Sequence, residues 1–190
     1  MLSDKAVVIQ QVCDALYEGN KQRASTLAKD GYPFLPRARS RRNYTENQSL
    51  QVFLRDGFID RYTNAKLVFP AVLRLLAQEL PEEFPAHPHW KMDESHIVFW
   101  ELNPTVDHLV PIARGGEDFL DNWVCTSMLS NQSKSNWTLE ELGWKLHPPG
   151  KLSEWDGLTN WFLAYVNESP DRISSPYLQK WHRALMRATV

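Results

Sequence analysis

An α+β chain dominated by helices, with one short β hairpin, is what the apolar pattern of this sequence predicts. Apolar residues recur at helical spacing near both ends, first as Ala6, Val7, Ile9, Val12, Leu16 and Tyr17. Past the middle, two short apolar runs, Thr105 to Pro111 and Asn122 to Thr126, flank a loop that holds Gly115 and Gly116. The 190 residues are 43% hydrophobic and 23% charged, as in an ordinary globular chain. That length suffices for one compact domain with extensions, or for two small ones, without disulfide staples.

The elements follow in order. A first helix ends at the break Glu18-Gly19-Asn20, and a second runs from about Lys21 to Lys29, closed by Gly31 and Pro33. This hairpin is either core or a dimer surface. The stretch PRARSRR then places Arg37, Arg39, Arg41 and Arg42 in a polar connector, read equally as solvated or as phosphate-contacting. Thr45 and Gln48 form a capping box for the next helix. A turn-rich loop, RDGFIDRYTNAKLVF, leads to a helix over Pro70 to Leu80, and prolines 81, 85 and 88 mark an irregular connector. HIVFWEL, residues 96–102, reads as a β-type run. After the Gly-Gly loop a short helix starts near Ser127, and Thr138 with Glu141 caps another. Two amphipathic helices close the chain, about Ser153 to Val166 and Pro176 to Ala188. Their Trp155, Trp161, Phe162, Tyr165, Leu178 and Trp181 are expected in the core. The organisation expected is a helical extension with an Arg-rich connector (1–43), a central domain (44–146) and a helical extension packed on it (147–190).

Composition excludes several classes of function. With 21 Lys and Arg against 23 Asp and Glu, the net charge of −2 is not that of a uniformly basic nucleic-acid coat. Cys13 and Cys125 are the only cysteines, too few for a disulfide framework or an all-cysteine zinc site. Cys125 reads as a small buried residue. No apolar run approaches the roughly 18 residues of a membrane span, and the first residues lack a signal-peptide pattern. The expectation is a bacterial-type cytoplasmic protein with no membrane partner.

The segment VDHLVPIARGGEDFLDNWVCTSMLSNQSKSNW concentrates the chemistry. Asp107 is a hard-cation ligand beside a candidate base, His108. Asn122 follows Asp107 by 15 residues and Asn131 by 24. Strand, loop, strand, helix brings a carboxylate and an amide oxygen to one point, and such donors suit Mg²⁺ or Mn²⁺ better than zinc. His87, His89 and His96 with Asp93 suggest a second metal site, but their proline-rich setting favours a solvated connector.

This segment resembles the HNH endonuclease family, whose ββα-metal motif reads D-H-hydrophobic-x-P, a GG loop, then N, then N or H followed by K. The matching positions are Asp107, His108, Pro111, Gly115, Gly116, Asn122, Asn131 and Lys134, with a weaker match upstream at RDGF. The resemblance implies a ββα-metal core over about 98–136, between the N- and C-terminal helices. Where many members carry two Cys-x-x-Cys pairs, this chain has Asp60 and Thr63, then Ser127 and Ser130, so no structural zinc is expected.

By the same resemblance, Asp107 and Asn131 hold the divalent ion, and His108 is the general base for a one-metal hydrolysis of phosphodiester bonds. An imidazole of ordinary pKa is largely neutral at physiological pH, as that role requires. Asn122 ties the loop and orients His108. Lys134 is the foremost phosphate contact and Arg114 a weaker one. The implied partner is double-stranded DNA, with RNA left open, and the products carry 5′-phosphate and 3′-hydroxyl ends. One such site cuts one strand, so a double-strand break takes a homodimer or two successive nicks. The alternatives are a restriction or anti-phage nuclease component that needs modified DNA or a partner, and a nucleic-acid-binding module that does not cut.

Overall fold

The computed structural model describes residues 4–34 and 44–188, so Arg37, Arg39, Arg41 and Arg42 lie outside the described residues. The chain divides into two compact units, Met1–Arg41 and Arg42–Val190.

The first unit is a pair of packed helices, α1 (Lys5–Tyr17) and α2 (Lys21–Gly31). Asp4 caps α1 through Ala6 N at 2.9 Å, and Asn20 caps α2 through Arg23 N at 3.0 Å. Gly31 allows the close approach, because a Cβ there would strike the methyls of Val8.

The second unit is built of helices around one antiparallel hairpin. Thr45 and Gln48 form the expected capping box at the head of α3 (Glu46–Arg55), and Pro70 opens α4 (Pro70–Glu79). Residues 96–102 correct the sequence reading. They hold a turn of helix, α5 (Val98–Glu101), in place of a strand. His96 Nδ1 accepts from Val98 N at 3.0 Å and so starts the helical turn. Phe99 and Trp100 of this turn are both buried and join the core.

The hairpin consists of β1 (Pro104–His108) and β2 (Trp123–Ser127), with Asp107 opposite Val124 and His108 opposite Trp123. Ser127 then caps α6 (Met128–Lys134), accepting from Ser130 N at 3.0 Å. The order is therefore ββα, and both α3 and α6 pack on the hairpin. Next comes α7 (Leu139–Leu142), with the Thr138–Glu141 capping box and left-handed Gly143 as its stop.

The chain ends in α8 (Thr159–Glu168) and α9 (Pro176–Ala188). Helix α8 starts later than its periodicity suggests. The Asp156 carboxylate captures Leu158 N at 2.8 Å and Asn160 N at 2.9 Å, fixing the start there. Phe162, Leu178 and Trp181 meet Phe53 and Phe69 in one aromatic core, with Phe69 5.3 Å from Phe162 and 5.6 Å from Trp181. Trp161, by contrast, is 42% exposed and stacks on Tyr165, which packs against the edge of that core. Val106, Trp123 and Cys125 belong to the same buried cluster, so the hairpin and the C-terminal helices share one core. Each large apolar side chain buried there stabilises the fold by about 1.5–3 kcal/mol. The structure is α+β and mostly helical, and among the described residues no helix is long and apolar enough to cross a membrane.

Candidate functional site

Strand β1 ends at His108, and its last two side chains find separate partners. Asp107 is buried, and its Oδ2 accepts from Tyr62 Oη at 2.6 Å and from Lys134 Nζ at 2.8 Å. Burial and the neighbouring Asp107 charge push the Tyr62 phenol well above its ordinary range, so it keeps its proton and donates. Oδ1 of Asp107 has no hydrogen-bond partner among the described residues.

Lys134 differs from its expected role. Its side chain is 0% exposed, and Nζ donates to the His108 carbonyl at 2.7 Å as well as to Asp107. An ammonium this deeply buried is there to balance a carboxylate and fix the backbone of the catalytic candidate, and it does not present itself to a phosphate. Arg114 is also committed. Its Nη2 donates to both Glu141 oxygens, at 2.9 and 3.2 Å, and its Nε to the Asn136 carbonyl at 3.1 Å.

His108 is buried, with Nε2 2.8 Å from Asp118 Oδ1 and 3.2 Å from Tyr44 Oη. Burial alone would raise the Asp118 carboxyl. Hydrogen bonds from His108 and Trp123 outweigh this and hold it below the usual carboxylate range. An ionised carboxylate only accepts, so Nε2 of His108 carries the proton that faces it. In the neutral imidazole the lone pair then sits on Nδ1, which has no hydrogen-bond partner among the described residues. Trp123 Nε1 donates to the same Asp118 oxygen at 3.0 Å and helps anchor it.

Asn122 acts on the loop, not on the imidazole. Its Oδ1 accepts from Val110 N at 2.9 Å, and its Nδ2 donates to the carbonyls of Val110 at 2.9 Å and Glu117 at 2.8 Å. Those bonds close the segment that carries Asp118. The two glycines make the closure feasible: Gly115 has φ +91°, and a Cβ on Gly116 would overlap the Val110 carbonyl.

Asn131 is half-buried on α6, one turn before Lys134 and so on the helix face that reaches Asp107. Its amide makes no hydrogen bond to another described residue. Asp107 Oδ1 and the Asn131 amide oxygen are thus unspent hard donors on neighbouring elements, a set whose chemistry fits a hard divalent cation. Among the described residues no group of three or more His, Cys, Asp or Glu side chains converges into a metal cage.

No known family model, curated protein or solved structure matches the chain.

Upstream, RDGF has a structural role. Asp56 is fully buried and accepts from Arg55 Nε at 2.9 Å, Arg61 Nη1 at 2.9 Å and Cys125 N at 2.8 Å. It thereby joins the end of α3 to β2. Of the four positions that stand in place of paired cysteines, three meet. Asp60 accepts from Ser130 Oγ at 2.7 Å and Ser127 N at 3.1 Å, and the two serine hydroxyls are 3.0 Å apart. Thr63 is exposed and stands apart. Burial raises the Asp60 carboxyl, but Ser130 and the backbone N–H groups of Tyr62 and Ser127 outweigh it and bring it below the ordinary range.

Sequence reasoning missed Asp118, Tyr62 and Tyr44. Asp118 had a signal, an acid two residues beyond the Gly-Gly pair beside a candidate base. Tyr62 and Tyr44 had none, because each reaches the site from a distant part of the chain.

Proposed function

We propose that the chain is a metal-dependent DNA endonuclease of the HNH kind, hydrolysing phosphodiester bonds with His108 as general base. The observation that carries this reading is the pair of unspent atoms on successive residues at the end of β1. They are His108 Nδ1, in a ring held through Nε2 by Asp118, and Asp107 Oδ1. A general base needs its lone pair on the nitrogen that faces the water, with the other nitrogen fixed.

His108 Nδ1 accepts a proton from water as the water oxygen bonds to phosphorus. The bond from phosphorus to the 3′ oxygen breaks, and that oxygen departs with the electron pair and takes a proton from solvent. The ends are then 5′ phosphate and 3′ hydroxyl. Asp118 stabilises the imidazolium that forms, as a carboxylate behind a catalytic histidine does. Lys134 and Tyr62 hold Asp107 Oδ2, so that Oδ1 keeps one orientation. Mg²⁺ or Mn²⁺, held by Asp107 and Asn131, would supply Lewis-acid stabilisation of the charge that develops on phosphate and leaving oxygen.

The test is a supercoiled-plasmid assay with Mg²⁺, Mn²⁺ or EDTA, comparing wild type with His108→Ala. Nicking is expected with metal and not with EDTA, and about 10²–10⁴-fold slower in the variant. A folded wild-type protein that leaves the plasmid intact with every metal would overturn a solitary nuclease acting on unmodified DNA.

A further inference from the structure

A cavity of about 170 Å³ lies away from the end of β1, between α4, α5, α9 and the proline-rich connector. Its walls include three aromatic rings: Trp90 of the connector, Phe99 of α5 and Tyr177 of α9. Asn103, the residue before β1, also lines it, and Arg74 and His87 stand among its polar lining residues. A dry cavity of roughly 150 Å³ accepts benzene, so this one has room for a single planar ring.

The polar side chains point to the kind of ring. Asn103 is 8% exposed, and its carbonyl is used by Met128 N at 3.1 Å, yet its side-chain amide has no partner among the described residues. Among those residues no polar side-chain atom is both sealed from solvent and unpartnered, so this amide opens onto the cavity it lines. Buried amides are nearly always hydrogen-bonded, and one left open offers a donor and an acceptor side by side. That pairing matches the edge of a nucleobase, which asparagine reads with two bonds.

Trp90 adds a second observation. It is 47% exposed and sits at φ +55°, a conformation that a bulky residue seldom adopts. Edge-on contacts to Phe99 at 6.4 Å and Trp100 at 6.1 Å fix its ring. Strain of this kind is concentrated at ligand clamps. Arg74 is exposed and makes no ion pair among the described residues, which leaves a guanidinium beside the cavity for an anion.

We propose that this cavity is a nucleobase pocket, which stacks one base against Trp90, reads its edge with Asn103 and meets its phosphate with Arg74. The pocket stands on its own chemistry, whereas a base extruded from the DNA being cut rests on the cleavage reading above. Bases are read this way when they leave the stack.

The test is calorimetric titration of the whole chain with each of the four deoxynucleoside 5′-monophosphates, with inorganic phosphate and deoxyribose 5-phosphate as controls. A duplex with one mismatched position forms the other arm. Saturable binding of at least one monophosphate or of the duplex is expected, and none of the controls. Trp90→Gly suits the positive φ, and Asn103→Asp keeps the shape while replacing donors by acceptors. Each should weaken binding by about fivefold to a hundredfold. Tighter binding of the mismatched duplex assigns an extruded base, and tighter binding of the monophosphate assigns a free nucleotide. Failure of all four monophosphates and the duplex to saturate, or unchanged affinity in both variants, would overturn the pocket. Plasmid cleavage in the same preparations separates the two proposals. Binding without cleavage keeps the pocket and removes the nuclease, and cleavage with both variants binding as wild type does the reverse.

Discussion

Asp60 and Asp107 are both buried acids of the Arg42–Val190 unit, yet the chain around them spends their oxygens differently. Asp60 Oδ1 accepts from Tyr62 N at 2.9 Å and Thr126 Oγ1 at 3.0 Å, while Oδ2 accepts from Ser127 N and Ser130 Oγ. Asp107 receives both of its donors, Tyr62 and Lys134, on Oδ2 and keeps Oδ1 back. Tyr62 links the pair, with its N–H on one carboxylate and its hydroxyl on the other. A carboxylate with both oxygens filled is a clasp between segments, here tying the 60–62 turn to the β2–α6 junction. A carboxylate filled on one side is held rigid and still has an oxygen to offer. Burial by itself therefore marks neither role, and the unspent lone pairs do.

Asp107→Asn breaks the comparison most sharply. It is expected to slow metal-dependent nicking about 10²–10³-fold and, because the buried Lys134 ammonium loses its carboxylate, to lower stability in urea by about 3–5 kcal/mol. Wild-type cleavage in this variant would place Asp107 beside Asp60 as a structural group. Asp60→Asn should cost stability alone. Losing the charged acceptor of four donors should lower unfolding free energy by about 2–4 kcal/mol, with the rate per folded molecule unchanged. Asp118→Asn tests the imidazole's support. Removing the partner that orients a functional histidine typically costs about 10–100-fold, and the plasmid assay reads it directly.

Acid sharpens the contrast. The Asp60 pKa in the folded protein lies below the value of about 3.9 for an unfolded aspartate. Its contribution is therefore complete above that value and is lost as pH falls through the folded pKa. The stability difference between wild type and Asp60→Asn should be flat from about pH 7 to 5 and shrink below about pH 4. The smallest effect concerns the thiols. Cys13 is exposed, whereas burial, reinforced by Asp56 and Asp60, pushes the Cys125 thiol well above its ordinary pKa. A thiol reagent should label Cys13 alone in the folded chain and both cysteines in urea.

Much of this was legible in the sequence wherever the controlling interaction is local. The boxes Thr45–Gln48 and Thr138–Glu141 set helix starts through bonds three residues apart. The Gly115-Gly116 pair and Asn122 closed their loop as expected, because the close approach and the amide clamp both act inside the single 110–122 loop. Residues 96–102 were misread because short apolar runs have no decisive period. There the His96 side chain, accepting from Val98 N, starts the helical turn. Lys134 was read as a phosphate contact from the resemblance, and the fold buries it instead. Its carboxylate and carbonyl partners became visible only once α6 was laid against β1.

The sequence by itself determined most of the helices, the hairpin and the Gly-Gly loop, since spacing, caps and turn residues act over one or two turns of chain. Only the tertiary structure decided which atoms of the site residues remain unspent. Lys134 meets His108 across 26 residues, Tyr62 meets Asp107 across 45, and Tyr44 meets Asp118 across 74. Hydrogen bonds and ion pairs depend on separations of about 3 Å, and separations of that kind between distant residues exist only after the aromatic core has packed.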